Sequence, residues 1–155
     1  SSLYYYFKSK DEALEKVCLH GIKGYVERLQ AIVAGDGSAE DKIRGAIHNH
    51  IEPVIFIPDY FRTFVGELRY LPENRRQKLN NMIAEYNALF EQILVDGIAE
   101  KTFTGSLDSH STMLMLIAQC NTVPFWFGQF EQYSPAQLAD MLADNFLQGA
   151  LWRPN

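Results

Sequence analysis

The stretch SKDEALEKVCLHGIKGYVERLQAIV, residues 9–33, decides the fold class because its apolar side chains recur at the period of an α-helix. Ser9 followed by Glu12 is a capping box, and Asp11 places a negative charge where the helix dipole favours it. The apolar stripe consists of Leu14, Cys18, Ile22, Tyr25, Leu29 and Ile32. These features predict an amphipathic helix that begins after Ser9 and ends at the AGDG sequence that follows residue 33.

Helical periodicity continues through the rest of the chain. The predicted helical segments cover residues 38–58, 59–71, 72–103, 108–127 and 135–151. In the first of these, Pro53 predicts a kink, and Pro58 predicts an end or a restart. In the last, Ser134 and Gln137 form a second capping box. Because no segment alternates as a strand does, the predicted fold class is all-α, a helical bundle.

The composition narrows the class of protein. The chain has 155 residues, of which 47% are hydrophobic and 21% are charged, which is typical of a globular domain rather than a disordered chain. Its net charge of −5 argues against a broad basic surface for nucleic acid. No apolar run reaches the roughly 18–20 residues of a membrane span, and the first residues do not read as a signal peptide. We therefore expect a cytoplasmic protein with no membrane partner.

The stretch SSLYYYFKSKDEAL, residues 1–14, resembles the end of the DNA-binding domain of TetR-family transcriptional regulators. In that family a helix-turn-helix recognition helix ends in a Leu-Tyr-aromatic-(His or Tyr)-Phe run, and a short turn and a Lys-(Asp/Glu)-(Glu)-Leu helix start follow. The resemblance implies that residues 1–10 are the C-terminal remnant of the helix-turn-helix domain, whose earlier helices would lie upstream. It implies that residues 11–155 are a ligand-binding and dimerisation domain.

The same resemblance implies which residues contact DNA. Tyr4, Tyr6 and Lys10 correspond to phosphate-contacting positions of the family. Tyr5 corresponds to a position that reaches base edges, and Ser2, like Ser1 before it, to one that can face bases. A tyrosine suits contact with the backbone because its hydroxyl can donate to a phosphate oxygen, and such contacts position the protein without reading sequence.

The second half of the chain is similar to the effector domains of a TetR subgroup that regulates fatty-acid and sterol catabolism in response to acyl-CoA thioesters. This chain departs from the subgroup at Phe125-Trp126-Phe127, since the subgroup often has an arginine beside the tryptophan. The resemblance implies a ligand-responsive repressor that binds operator DNA as a homodimer. It implies release by a small apolar or aromatic effector, an acyl-CoA being one candidate.

A pocket is predicted where the Pro-kinked segment 51–64 meets the long helix, because aromatic residues crowd there. The predicted ligand-binding residues are Phe56, Tyr60, Phe64, Met82, Tyr86, Phe90 and Gln119. The alternative is that these side chains form ordinary core. Arg75-Arg76 with Lys78 could hold a phosphate of a coenzyme A group, or could be a solvated helix face.

Dimerisation is predicted at the two C-terminal helices, around 108–127 and 135–151, because the first of them is apolar on more than one face. The predicted interface residues are Leu116, Cys120, Val123, Trp126, Leu142 and Phe146. Cys18 and Cys120 are expected to be buried small hydrophobic residues.

The sequence leaves open two alternatives to a transcriptional regulator. One is a small all-α enzyme or ligand carrier that uses His48, His50, Glu52 and Glu67, and the other is a bundle that mediates only protein contacts. His48 and His50 lie on different helix faces, and no histidine pair has the spacing of a helical metal site. The sequence therefore predicts no catalytic residue, no metal and no cofactor.

Overall fold

The computed structural model describes residues 8–56, 66–127 and 132–150. These residues form five α-helices. They are α1 (Lys10–Ala34), α2 (Ala39–Phe56), α3 (Glu73–Ala99), α4 (Ser109–Trp126) and α5 (Pro135–Ala150), with a 3-10 turn at Leu68–Tyr70 before α3. The all-α prediction is confirmed, and the helix starts lie within two residues of their predicted positions.

Side-chain caps begin four of these helices, and at α4 the backbone N–H of Ser111 donates to Asp108 Oδ1 over 2.8 Å. The backbone N–H of Gln137 donates to Ser134 Oγ over 3.2 Å, and the N–H of Ser134 donates to Gln137 Oε1 over 2.8 Å, so this capping box is complete. At the start of α1, the N–H of Glu12 donates to Ser9 Oγ over 3.1 Å, but the Glu12 carboxylate accepts from the N–H of Lys8 instead of Ser9. Ser38 and Asp41 cap α2 in the same reciprocal way.

Helix α3 ends at Ala99, four residues before the predicted end. The chain reverses through Lys101, whose φ of 62° is in the left-handed region. The N–H groups of Thr102 and Phe103 both donate to the carbonyl of Gly97, over 2.8 and 2.9 Å. This reversal carries the Phe103 ring over Gly97 and into the core, where it contacts Phe146 of α5 with a centroid distance of 5.8 Å.

Two hydrophobic clusters hold the helices together. The main core is built from all five helices, with Leu29, Ile47, Phe90, Val123 and Ala139 completely buried. A satellite cluster lies between the first half of α1 and the start of α3, and its buried members are Cys18, Leu71 and Leu79. Ile22 packs against both clusters, so α1 spans the distance between them.

Helix α2 continues through Pro53 as far as Phe56. Of the predicted helix 59–71, the structure describes residues 66–71, which include the 3-10 turn Leu68–Tyr70. A membrane-spanning helix is not found among the described residues, since none of their helices is both long and apolar enough.

Candidate functional site

A cluster of three polar side chains, two of them buried and one half-buried, lies among the apolar side chains of the core. His50 of α2 is 8% exposed; its Nδ1 lies 3.0 Å from the hydroxyl oxygen of Tyr86 on α3, and its Nε2 lies 3.0 Å from Asn121 Oδ1 on α4. Because an amide oxygen can only accept, Nε2 carries the proton, and Nδ1 accepts from the Tyr86 hydroxyl. One hydrogen-bonded chain therefore joins three helices, and we call these three residues the polar cluster.

Burial keeps the polar cluster uncharged. It lowers the pKa of His50, an effect that the hydrogen bond with Asn121 only partly opposes, and it raises the pKa of Tyr86 well above its usual range. Burial also raises the pKa of the neighbouring Cys120 thiol to about 12. At neutral pH the cluster thus presents a neutral imidazole, a phenol and an amide.

Helix α1 contacts the polar cluster through Tyr25. The Tyr25 ring lies 5.9 Å from the His50 ring and 6.2 Å from the Tyr86 ring, measured between centroids. Asn49 donates to the Tyr25 carbonyl over 3.2 Å and accepts from Arg28 Nε over 2.6 Å. The Arg28 guanidinium lies 5.2 Å from the centroid of the Tyr25 ring. The first helix is therefore tied to the same buried site.

The structure brings together only part of the predicted ligand-binding set. Tyr86 belongs to the polar cluster, and the centroid of the fully buried Phe90 ring lies 6.3 Å from the centroid of the Tyr86 ring. Met82 is half-buried on the same helix. Gln119 does not join them, because it is exposed and lines a surface groove. The Phe56 side chain, Tyr60 and Phe64 lie outside the described residues.

The sequence indicates two of the three members of the polar cluster. Tyr86 belongs to the predicted ligand-binding set, and His50, besides its place in the enzyme alternative, is interpreted as a hydrogen-bonded histidine of the core or the pocket, whereas Asn121 is not singled out. A signal was present, since Asn121 interrupts the most apolar helix and His50 lies on the apolar stripe of α2. What the sequence could not indicate is that these polar residues of different helices meet.

A surface groove of about 390 Å³ runs between α4 and α5. Its lining residues are Gln119, Thr122, Trp126, Tyr133, Leu138, Met141, Leu142 and Asn145. Large apolar side chains are exposed on the same two helices, among them Phe125 at 63%, Met115 at 58%, Leu114 at 48% and Met141 at 45%. We call these four exposed side chains and the groove the apolar face.

The structure corrects half of the predicted interface set. Leu116, Cys120 and Val123 are at most 3% exposed and lie in the chain's own core, so the prediction that they contact a second chain is wrong. Trp126 and Leu142 are half-buried and line the groove, and Phe146 is half-buried against Phe103. Both cysteines are buried, as expected.

Of the four residues of the enzyme alternative, the structure brings together only His48 and Glu52. His48 lies at the surface, where its Nε2 is 2.9 Å from Asp140 of α5 and its Nδ1 is 3.4 Å from Glu52, while His50 lies in the core. Glu67 Oε2 is 3.9 Å from Lys10 Nζ. Across residues 8–56, 66–127 and 132–150, no group of three His, Cys, Asp or Glu side chains is arranged to hold a metal ion.

The basic residues near the start of α3 are paired with carboxylates. Arg75 and Lys78 both contact Glu15 of α1, and Arg76 contacts Glu73. Neither interpretation from the sequence describes Arg75, which is half-buried against another helix.

Of the predicted DNA contacts, Lys10 is exposed at the start of α1. Ser2, Tyr4, Tyr5 and Tyr6 lie outside the described residues.

Comparison with known proteins gives a consistent result. Residues 36–150 match the family described as "Tetracyclin repressor-like, C-terminal domain". The chain is 22% identical over 151 residues to the fatty acid metabolism regulator protein of Bacillus subtilis, covering 96% of this chain and 77% of that protein.

Solved structures show the same fold. A ketosteroid transcriptional regulator of Mycobacterium tuberculosis superposes with a TM-score of 0.89 at 17% identity, covering 98% of this chain and 78% of that one. The regulator FadR of Bacillus subtilis, in complex with stearoyl-CoA, superposes with a TM-score of 0.77 at 22% identity, covering 96% of this chain and 80% of that one. At these identities the likeness establishes the helical architecture.

Proposed function

This chain belongs to the tetracycline-repressor-like (TetR) family of transcriptional regulators, and we propose that it is the sensor and dimerisation region of a homodimeric repressor that an apolar effector releases from its operator. We assign residues 11–155 to this region and residues 1–10 to the end of the DNA-binding domain. The contacts with DNA are then made by Ser2, Tyr4, Tyr5, Tyr6 and Lys10.

The observation that carries the sensor role is the polar cluster. A small-molecule site in a protein interior combines an apolar lining with a few polar groups that fix the ligand's orientation. His50, Tyr86 and Asn121 supply such groups, and Phe90 and Cys120 supply apolar surroundings. Because the cluster is uncharged, a ligand that buries an ionised group there would lose its hydration without gaining a counter-charge. The site thus suits an apolar body with a neutral hydrogen-bonding group.

The acyl-thioester end of an acyl-CoA fits this description, and the ionised phosphates of its coenzyme A end would have to lie outside the cluster. The carbonyl of a thioester is a neutral acceptor attached to a long apolar chain, and the Bacillus subtilis FadR structure contains stearoyl-CoA. An effector shifts the protein between conformations only if it binds one of them better. Because Tyr25 connects α1 to the cluster, we propose that occupancy tilts α1 and so alters the separation of the two DNA-reading domains in the dimer.

The apolar face supports the homodimer. Residues 111–130 contain no Asp, Glu, Lys, Arg or His, so the exposed surface of α4 after His110 carries no ionisable side chain of these types. Contiguous exposed apolar surface of this kind marks an interaction site. A two-fold pairing would place Phe125 and Met141 of each chain against the same helices of the other.

Operator binding by the protein from the complete gene tests the proposal. A duplex is selected from a random library, and its binding is followed by fluorescence anisotropy while stearoyl-CoA is added. We expect selective binding that stearoyl-CoA weakens at least tenfold, while stearate and free coenzyme A, added separately, leave it unchanged. Failure to select any duplex contradicts the repressor role, and release by stearate alone contradicts a neutral effector.

A further inference from the structure

A carboxylate is buried where the first half of α1 packs against the start of α3. Glu15 is 6% exposed and lies one turn before Cys18, in the wall of the satellite cluster. Its Oε2 accepts from Arg75 Nη1, and its Oε1 lies 3.4 Å from Lys78 Nζ. Each carboxylate oxygen thus has its own cation, and both cations belong to α3. We call Glu15, Arg75 and Lys78 the ion cluster.

The two helices run side by side in the same direction. Glu15 contacts Arg75 at one end of the contact, the Tyr25 ring meets the Tyr86 ring further along, and Gln30 Nε2 donates to Glu85 Oε1 over 2.9 Å near the end of α1. The ion cluster and the polar cluster are therefore about 15 Å apart along both helices, at about 1.5 Å per residue. Any sliding of α1 on α3 at one cluster must be accommodated at the other.

The ion cluster favours one setting of this helix pair. A slide by one helical turn, about 5.4 Å, would separate the Glu15 carboxylate from at least one of its two cations, which stand three residues apart on α3. A buried charge that loses its partners is costly, whereas the apolar contacts of Leu14, Cys18 and Ile22 can be exchanged for others of the same kind. The charged contact is therefore the part of this interface that discriminates between positions.

We propose that Glu15 is a positioning residue that holds α1 against α3 in the conformation that binds the operator. Helix α1 begins at Lys10, the last of the residues assigned to the DNA-binding domain, so its setting is passed on to that domain. This role rests on the proposed function. In this proposal Arg75 and Lys78 stabilise one conformation of the repressor, and they do not bind a phosphate of the effector.

The test is operator affinity in the protein from the complete gene, without effector, on the duplex that the wild type selects. Glu15→Gln keeps the shape of the side chain and removes its charge, and we expect operator binding to weaken at least tenfold. Glu27→Gln is the matched control, because Glu27 pairs with Lys23 over 3.5 Å within α1 alone. We expect this variant to stay within twofold of the wild type.

A second variant separates positioning from simple stability. Glu15→Gln combined with Arg75→Gln replaces the mismatched charge by two amides, which should bring the melting temperature back towards that of the wild type. If positioning is the role, operator affinity stays at least tenfold weaker although the melting temperature recovers. Recovery of affinity together with the melting temperature would overturn the assignment, as would unchanged affinity in Glu15→Gln.

The test also covers a Glu15→Gln variant that does not fold and a wild type that selects no duplex. If Glu15→Gln does not fold, Arg75→Lys replaces it, since this variant keeps the carboxylate paired but loses the guanidinium geometry. Weakened operator binding by Arg75→Lys supports positioning, and wild-type binding overturns it. If the wild type itself selects no duplex, the proposed function fails, and the role of Glu15 fails with it.

Discussion

The Nδ1 atom of His50 lies 3.0 Å from the hydroxyl oxygen of Tyr86, inside the core that α2 and α3 share. The hydroxyl donates this bond because Nε2 of the same ring is committed to Asn121. The two side chains are 36 positions apart in sequence and almost fully buried. This bond is the middle of a hydrogen-bonded chain across the bundle, and it makes the core sensitive to the loss of a single hydroxyl.

Tyr86→Phe should destabilise the protein by about 1–3 kcal/mol, because it leaves the buried Nδ1 of His50 without a donor while keeping the ring. Urea unfolding followed by circular dichroism measures the change. Tyr70→Phe is the control, since Tyr70 is 67% exposed and water can replace what its hydroxyl contacts. Equal effects of the two substitutions would contradict the importance of the buried bond.

Stability should fall as the pH is lowered through the ordinary pKa of histidine, 6.5, because the folded state depresses the pKa of His50. Below that pH the unfolded chain binds a proton that the folded chain does not, so the free energy of unfolding decreases as pH decreases. For this one group the decrease from pH 7.5 to 5.5 is at most about 1.4 kcal/mol, the limit for a ring that stays unprotonated in the folded state.

His50→Gln is the variant that isolates this effect. It removes the titrating ring while an amide can still accept from Tyr86, so we expect a flatter dependence of the free energy of unfolding on pH. Urea titrations at half-unit intervals give the comparison. Parallel pH profiles for the variant and the wild type would show that His50 is not the group responsible.

Gly97→Ala should destabilise the protein, although alanine favours a helix over glycine by about 1 kcal/mol. A Cβ at this position would lie 2.3 Å from a ring carbon of the fully buried Phe103, and overpacking of this kind costs about 1–3 kcal/mol. Gly105→Ala is the control, since a Cβ there meets nothing within 4 Å. Thermal unfolding of the two variants decides, and a melting temperature of Gly97→Ala at or above that of Gly105→Ala would contradict the packing argument.

Phe125→Glu should convert the proposed homodimer into a monomer, because it places a charge on the most exposed aromatic side chain of the apolar face. Sedimentation velocity at micromolar concentration gives the mass directly. Val95→Glu, at a position on α3 that is 43% exposed, introduces the same charge outside that face. A dimer that survives Phe125→Glu, or that dissociates equally with Val95→Glu, would place the interface elsewhere.

Much of the fold could be predicted from local patterns. The spacing of apolar residues and the capping sequences at Ser9 and Ser134 located the starts of α1 and α5, because these signals act within one helical turn. The end of α3 was wrong, since Lys101 adopts a left-handed conformation that brings Phe103 back over Gly97. That reversal depends on a packing contact with α5, which the local sequence does not encode.

The candidate site was predicted only in part for the same reason. Tyr86 and Phe90 were found because aromatic residues on one helical stripe point inward together. The error at Leu116, Cys120 and Val123 arose because α4 is apolar on two faces, so periodicity could not tell the face in the core from the face at the surface.

By itself, the sequence determined an all-α chain, the positions of its caps and the resemblance to a family of regulators. These follow from interactions between residues that are close in the chain, and from a motif that can be read as letters. Only the tertiary structure decided that His50 meets Tyr86 and Asn121, and that Glu15 is buried between two cations of another helix. The physical reason is that a buried polar or charged side chain is stable only with partners, and here those partners come from distant helices.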